Sequence, residues 1–418
     1  MPAHGALPFF LRFLSRDPLE NFVSLNLMPV SASENIPRGD AIALARALVA
    51  VDSRNPSLDP SGPGEAACAS LLADVLISWG FRVELHDTGN SRPNVVARLG
   101  RSGGRTLMLN GHLDTVGVAG MSHEPWNPVI RDGQLFGRGS ADMKSGVAAM
   151  CAAACHAAER GLVGEVIIAA VTDEEFGSAG TRALIASGIR ADAAIVTEPT
   201  RLAVCPAHRG FAWAELVVHG RAAHGSRWDV GVDAITLAAL VLAELDRYQR
   251  DVLTTRSHPL LGRPSLHASL VSGGTELSTY PDRCSVLVER RTLPGETSAD
   301  FIRELQEACE RVRLVRPELR AEVIPGHAQL PNEIALDHDI VRALSAALDH
   351  IGAPAPIGGL MCWTDAALLT AAGIPAICFG PGDIALAHAA EEYVMVAEID
   401  IACAALTSLI TDWCGVAH

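Results

Sequence analysis

Residues 165–172, Glu-Val-Ile-Ile-Ala-Ala-Val-Thr, form an apolar, β-branched run that breaks without a spacer into Asp173-Glu174-Glu175. A run of that length with no polar alternation fits a strand covered on both faces. Strands of that kind are central members of a sheet with helices packed on either side. Residues 106–110 and 193–197 repeat the pattern, each apolar and each leading into a polar or acidic step. Helical periodicity fills the intervals at 41–51, 63–79, 144–160 and 182–188, with Gly80 as a stop signal for the second of these. Further strands are expected at 82–87 and 94–99. The alternation predicts an α/β domain with a largely parallel sheet.

Near Arg209 the pattern changes. Residues 211–219 alternate apolar and polar, as a strand with one wet face does. An amphipathic helix over 231–250, strands over 265–271 and 284–290, a helix over 298–313 and a strand over 320–324 complete a small α+β sandwich. The α/β pattern returns after Pro331, with helices at 340–351, 365–372 and 398–414 and a strand at 375–380. The expected division is therefore an N-terminal extension over 1–38, a first catalytic segment over 39–207, an inserted lid over 208–327 and a second catalytic segment over 328–418. Residues 1–27 are expected to be poorly ordered or not native, with Met28 as a natural start.

The chain has 418 residues, 49% of them hydrophobic, and a net charge of −15. An acidic balance disfavours nucleic acid as a main partner. No uninterrupted apolar run is long enough to span a bilayer, and no secretion signal is clear. The ten cysteines form no C-x-x-C pair. Cys151 and Cys155, four apart in an Ala-rich helix, read as small buried residues rather than a metal site. The expectation is a reduced, cytoplasmic protein.

Acids packed against a buried strand end lose solvation and repel one another, and a cation is the usual compensation. His112 and Asp114, in Gly111-His112-Leu113-Asp114-Thr115, alternate along an extended chain and so share a side. Asp142 follows a glycine turn at the head of a helix, where it also reads as a plain cap. Glu198 and His388 lie at or just past two more strand ends. Open α/β sheets bind ligands there. Imidazoles and carboxylates collected at one sheet edge form a donor set for zinc, cobalt or manganese.

These residues belong to longer stretches: Trp126-x-Pro128, Asp132-Gly133, Gly137-Arg138-Gly139-Ser140-Ala141-Asp142-Met143-Lys144, Asp173-Glu174-Glu175-Phe176-Gly177, Thr197-Glu198-Pro199 and Gly380-Pro381-Gly382 with Ala387-His388. In order and spacing the chain resembles the M20 metallopeptidases, the group of acetylornithine deacetylase, succinyl-diaminopimelate desuccinylase, aminoacylase-1 and glutamate carboxypeptidase. The resemblance covers about residues 39–416. It implies a catalytic domain of zinc-aminopeptidase type with an inserted lid and dimerisation domain, and two divalent metal ions, zinc or else cobalt or manganese, bridged by one carboxylate and a water. It implies Asp142 as the bridge, His112 and Glu198 on one ion, Glu175 and His388 on the other, and Glu174 as general base. Asp114 would orient His112. A cis peptide is expected after Asp142. In the lid, the resemblance implies His224 as an oxyanion-stabilising residue, supplied by the partner subunit in dimeric relatives, and Arg291 as a partner of the substrate carboxylate. Ser278 takes the place of a common Asn, and Gly358, Gly359 and Thr364, with Asp365, match a loop near that carboxylate. A homodimer is expected to form through the lid helix over 231–250 and a neighbouring edge strand.

The reaction expected is hydrolysis of an N-acyl amino acid, with a carboxypeptidase or dipeptidase as the alternative. Trp228 and Trp363 favour the alternative if they admit a larger apolar group. Two other classes compete. A non-catalytic metal-binding module would lack a ligand or the base. A serine hydrolase would use Gly100-x-Ser102-x-Gly104, but this stretch links two expected strands, whereas a nucleophile elbow joins strand to helix.

Overall fold

The computed structural model describes residues 36–417 apart from Asn90 and Ser102. The expectation of a poorly ordered or non-native N-terminus lies outside the described residues. At the centre is a nine-stranded sheet. Four of its strands, Glu165–Val171, Thr106–His112, Ala193–Val196 and Ala376–Cys378, run parallel side by side. All are buried along almost their whole length. That matches their unbroken apolar sequences, since neither face of such a strand meets water. Antiparallel strands Pro93–Gly100 and Arg82–Asp87 extend one edge.

The other edge departs from the sequence reading. Val204–His208 is a strand of this sheet, pairing with Asn332–Glu333 and with Ile357–Leu360. Pro206 hides it, because proline within an apolar run argues against a strand interior. The structure accommodates the proline with a register shift between Ile357 and Gly359. Gly358 and Gly359, expected in a loop, therefore lie in a strand.

One helix controls how closely the layers approach. Ser145–Ala158 is buried at every residue but His156 and Ala158. Alanines let it lie against the sheet on one side and against Val396–Cys414 on the other. Gly146 marks the tightest point: a β-carbon there would stand 2.0 Å from the Thr197 carbonyl oxygen. The helix start is thus pressed against the strand end that carries Glu198.

Residues 210–329 build the second unit. Strands Gly210–His219, Arg283–Thr292, Ser265–Gly273 and Arg320–Gln329 form an antiparallel sheet. Helices Ala234–Asp251 and Ser298–Val315 cover one face through their own apolar core, including Leu216, Val241, Val286 and Phe301. Asp233 caps the first helix and a Thr297–Asp300 capping box starts the second. The opposite face bears Phe211, Trp213, Glu289 and Arg291 and turns toward the ends of the central strands.

No helix among the described residues is long and apolar enough to cross a membrane. All ten cysteines are free. Cys151 and Cys155 are buried in the helix interior, and neither belongs to a metal-competent cluster among the described residues.

Candidate active site

The carboxyl ends of the parallel strands deliver the acids and imidazoles to one place. His112 ends its strand with its Nδ1 2.9 Å from the Asp114 carbonyl oxygen. Its Nε2 faces an Asp142 oxygen at 3.1 Å. Asp142 occupies a tight turn between Gly139 and the helix at Ser145, followed by a cis peptide to Met143. From the next strand end, Glu175 meets His388 at 3.0 Å, and His388 lies 3.5 Å from Asp142. Asp142 thus stands between the two imidazoles.

Two sets of donor atoms are each gathered within 4.8 Å: His112, Asp142 and Glu175, and His112, Glu174 and Glu198. The donors are imidazole nitrogens and carboxylate oxygens, a combination suited to borderline divalent ions.

Electrostatics agree with that fit. Burial pushes the Glu174 and Glu198 carboxyls well above their usual range, and the neighbouring charge of Glu198 adds to the first and that of Asp142 to the second. Burial works against charge on His112 too, but Asp142, Glu174 and Asp114 outweigh it and hold the ring protonated. Contact with Glu175 raises His388 to about 9. Burial also acts on Asp142, yet its bond to His112 wins and keeps its pKa low. Without cations, burial and mutual repulsion favour proton uptake by the cluster. Divalent ions would displace those protons and relieve the repulsion.

A supporting layer holds the ligands in place. Asp114 is fully buried and raised to about 7 by that burial. Its carboxylate accepts the backbone N–H groups of Glu174 at 3.1 Å and Glu175 at 3.2 Å, and the Asn55 amide at 2.8 Å. Orientation of His112 comes chiefly from the Asp114 carbonyl, since the carboxylate is 3.6 Å away. Asp173, in the left-handed conformation, accepts from Asn55 and Arg92 and starts the turn. Glu65 pairs with Arg92 beneath it. Glu392 accepts from Arg138 and from the amides of Gly139, Ala141 and Asp142, so it fixes the turn that carries Asp142.

Sequence reasoning did not find Asn55, Glu65, Arg92 or Glu392 as supports. The Glu391-Glu392 pair beside His388 was visible, but nothing local distinguishes which acid turns inward.

A cavity of about 270 Å³ opens over the cluster, lined by Asp142, Glu174, Glu175, Glu198 and His388, and by Arg291, Cys362, Trp363, Ile384 and Ala387. Arg291 is the lid's charged contribution, half-buried and 3.0 Å from Glu289. Its neighbour Arg290 turns to the other face, buried against Glu296 at 2.6 Å.

Other expected residues lie elsewhere. Gly358 and Gly359 do not line the cavity. Thr364 is fully buried, with its hydroxyl 3.3 Å from the Cys378 sulfur and accepting the Ala366 N–H. That environment leaves it no route to substrate. Asp365, also buried and raised to about 6 by burial, accepts from Thr181. His224 sits at the lid surface, bonded to Ser226 and bridged to Thr279 beside Ser278. Neither His224 nor Ser278 lines the cavity of its own chain. Trp228, 81% exposed, is also remote from it. Residues 100 and 104 flank a connection between two strands, not a strand-to-helix elbow; Ser102 itself lies outside the described residues.

Comparison with known proteins points the same way. Residues 108–412 match the family model described as peptidase family M20/M25/M40. The chain is 32% identical over 347 residues to an acetylornithine deacetylase of Myxococcus xanthus, covering 80% of this chain and 89% of that protein. It is 27% identical over 414 residues to the N-formyl-4-amino-5-aminomethyl-2-methylpyrimidine deformylase of Bacillus subtilis, covering 90% and 95%. The solved structure of aminopeptidase PepT from Bacillus cereus shares the fold, with a TM-score of 0.73 at 22% identity over 90% of this chain and 98% of that one.

Proposed function

The chain belongs to peptidase family M20/M25/M40 and is a metallohydrolase of amide bonds, and from that premise we propose that it removes the acyl group from an N-acyl amino acid. The observation that carries this reading is the shared cavity. The strand-end cluster forms its floor and Arg291 stands in its wall. A guanidinium at that position suits a substrate carboxylate.

Asp142 would serve both of two divalent ions, zinc or else cobalt or manganese, with His112 and Glu198 for one and Glu175 and His388 for the other. When bound, such ions lower the pKa of water and polarise an amide carbonyl. The protein's own groups do the rest. Glu174 takes the proton of the attacking water and delivers it to the leaving amine. Arg291 holds the carboxylate, and Asp114 fixes the directions in which Glu174 and Glu175 leave the backbone. A small peptide cleaved next to its free carboxylate would use the same groups, which keeps a carboxypeptidase or dipeptidase as the second reading.

The division at 207/208 and 327/328 assigns the ions to the outer segments and carboxylate recognition to the inserted lid. The lid also exposes Ile235, Leu270, Val271 and Leu277. We assign this apolar surface to a homodimer contact that brings the partner subunit's His224 to the oxyanion. Mixing Glu174→Gln chains with His224→Ala chains should then restore turnover. Mixed dimers that stay as inactive as the parents would reject the exchange.

Chelation tests the metal requirement. Full removal should abolish amide hydrolysis, and zinc, cobalt or manganese should restore it. Uptake must displace the proton His388 holds up to about pH 9. Affinity should therefore weaken as pH falls from 9 toward 6, by roughly tenfold per pH unit for each proton displaced. A pH-independent affinity would show that these imidazoles are not ligands.

A further inference from the structure

Trp363 shares the cavity with Arg291 and is fixed from behind, its indole N–H donating to the Leu330 carbonyl at 3.0 Å. Phe211 approaches it edge-on, with ring centroids 6.4 Å apart at 88°, and His208 does so from another side at 6.3 Å and 86°. Burial lowers His208 to about 4, so this ring is neutral and backs the indole as a buried aromatic support. The Arg291 guanidinium lies over the Phe211 ring, 5.6 Å from its centroid. Trp213 stacks obliquely on Phe211 at 5.2 Å and is 40% exposed. The aromatic surface is therefore continuous from the guanidinium to the indole.

We propose that the half of the substrate bearing the carboxylate also bears an aromatic ring, making the preferred substrate an N-acyl aromatic amino acid. This rests on the deacylase reading above and names its substrate class. An indole held by a hydrogen bond and two edge-on rings has little freedom left to lose when a third ring stacks on it. Aliphatic side chains gain buried area there, but not the quadrupole complementarity of ring on ring. Because the aromatic surface adjoins Arg291 directly, the ring and the carboxylate are expected on the same side of the scissile bond. A ring on the acyl half would sit away from that wall.

Competition between matched amides tests this on the metal-loaded enzyme. N-acetyl-L-phenylalanine should exceed N-acetyl-L-leucine in kcat/KM by about three- to tenfold. N-benzoylglycine, which carries its ring on the acyl half, should show no such advantage over N-acetylglycine. Trp363→Leu should collapse the phenylalanine-to-leucine ratio toward one, and Trp363→Phe should preserve most of it. Equal turnover of the phenylalanine and leucine compounds, or a preference confined to the benzoyl compound, would overturn the aromatic assignment while leaving the deacylase reading intact. A metal-loaded enzyme that hydrolyses none of these amides would instead remove the deacylase reading on which the assignment depends.

Discussion

Glu174 and Glu175 are the same residue type, one peptide apart, yet their carboxylates leave in different directions. Glu175 reaches His388, and Glu174 lies with Glu198 near His112. The strand ends at Val171, and the turn that left-handed Asp173 starts begins this separation; the Asp114 carboxylate completes it by accepting both amide N–H groups. Asp114→Asn would turn an N–H toward one of those donors or forfeit the Asn55 bond. Turnover should fall by roughly 10–100-fold, the usual effect of losing a group that supports metal ligands. Steady-state rates read beside a metal titration check it; an unchanged rate would mean that the two amides need no such anchor. His112, Glu175 and Glu198 were legible in the sequence because each ends or closely follows an apolar run, and Asp142 and His388 because they stand in glycine-marked segments. Their supports were not. Glu392 holds amides some 250 positions earlier in the chain, and Asn55 joins Asp114 to Asp173 from a loop with no periodicity of its own. Contacts of that kind exist only after folding. Thr364 failed for a related reason: its neighbours resembled a binding loop, but its side chain faces the core.

At the level of elements, buried strands and Ala-rich helices were readable because their periods are unambiguous. Pro206 and the Gly358-Gly359 pair carried the opposite signal, and tertiary pairing overrode it at one edge of the sheet. The helix Ser145–Ala158 shows what the small residues accomplish. It brings the Asp142 turn to the Glu198 strand end, with Gly146 against the Thr197 carbonyl. Gly146→Ala would force these apart. We expect a loss of about 1–3 kcal/mol in folding stability, as for overpacked interiors, together with weaker metal binding, because the displaced strand end carries Glu198. Denaturant unfolding and metal titration report the two effects separately. Unaltered metal binding in a destabilised variant would show that this contact serves packing alone.

Across the whole molecule, chemistry and recognition come from different units. The parallel sheet supplies the acids and imidazoles, and the inserted domain lowers Arg291 and its aromatic neighbours over them. The sequence announced both units by the change from unbroken to alternating strands near Arg209. It was silent on the cavity, which requires the lid sheet to be positioned above strand ends from both outer segments. Within the site five side chains are assigned to hold ions, while Glu174 is left to carry a proton. Metal content and amide turnover, measured together on Glu174→Gln and Glu175→Gln chains, test it most directly. Glu174→Gln should retain its ions and lose nearly all turnover, whereas Glu175→Gln should lose metal affinity. Retention of both metal and rate in Glu174→Gln would contradict the assignment.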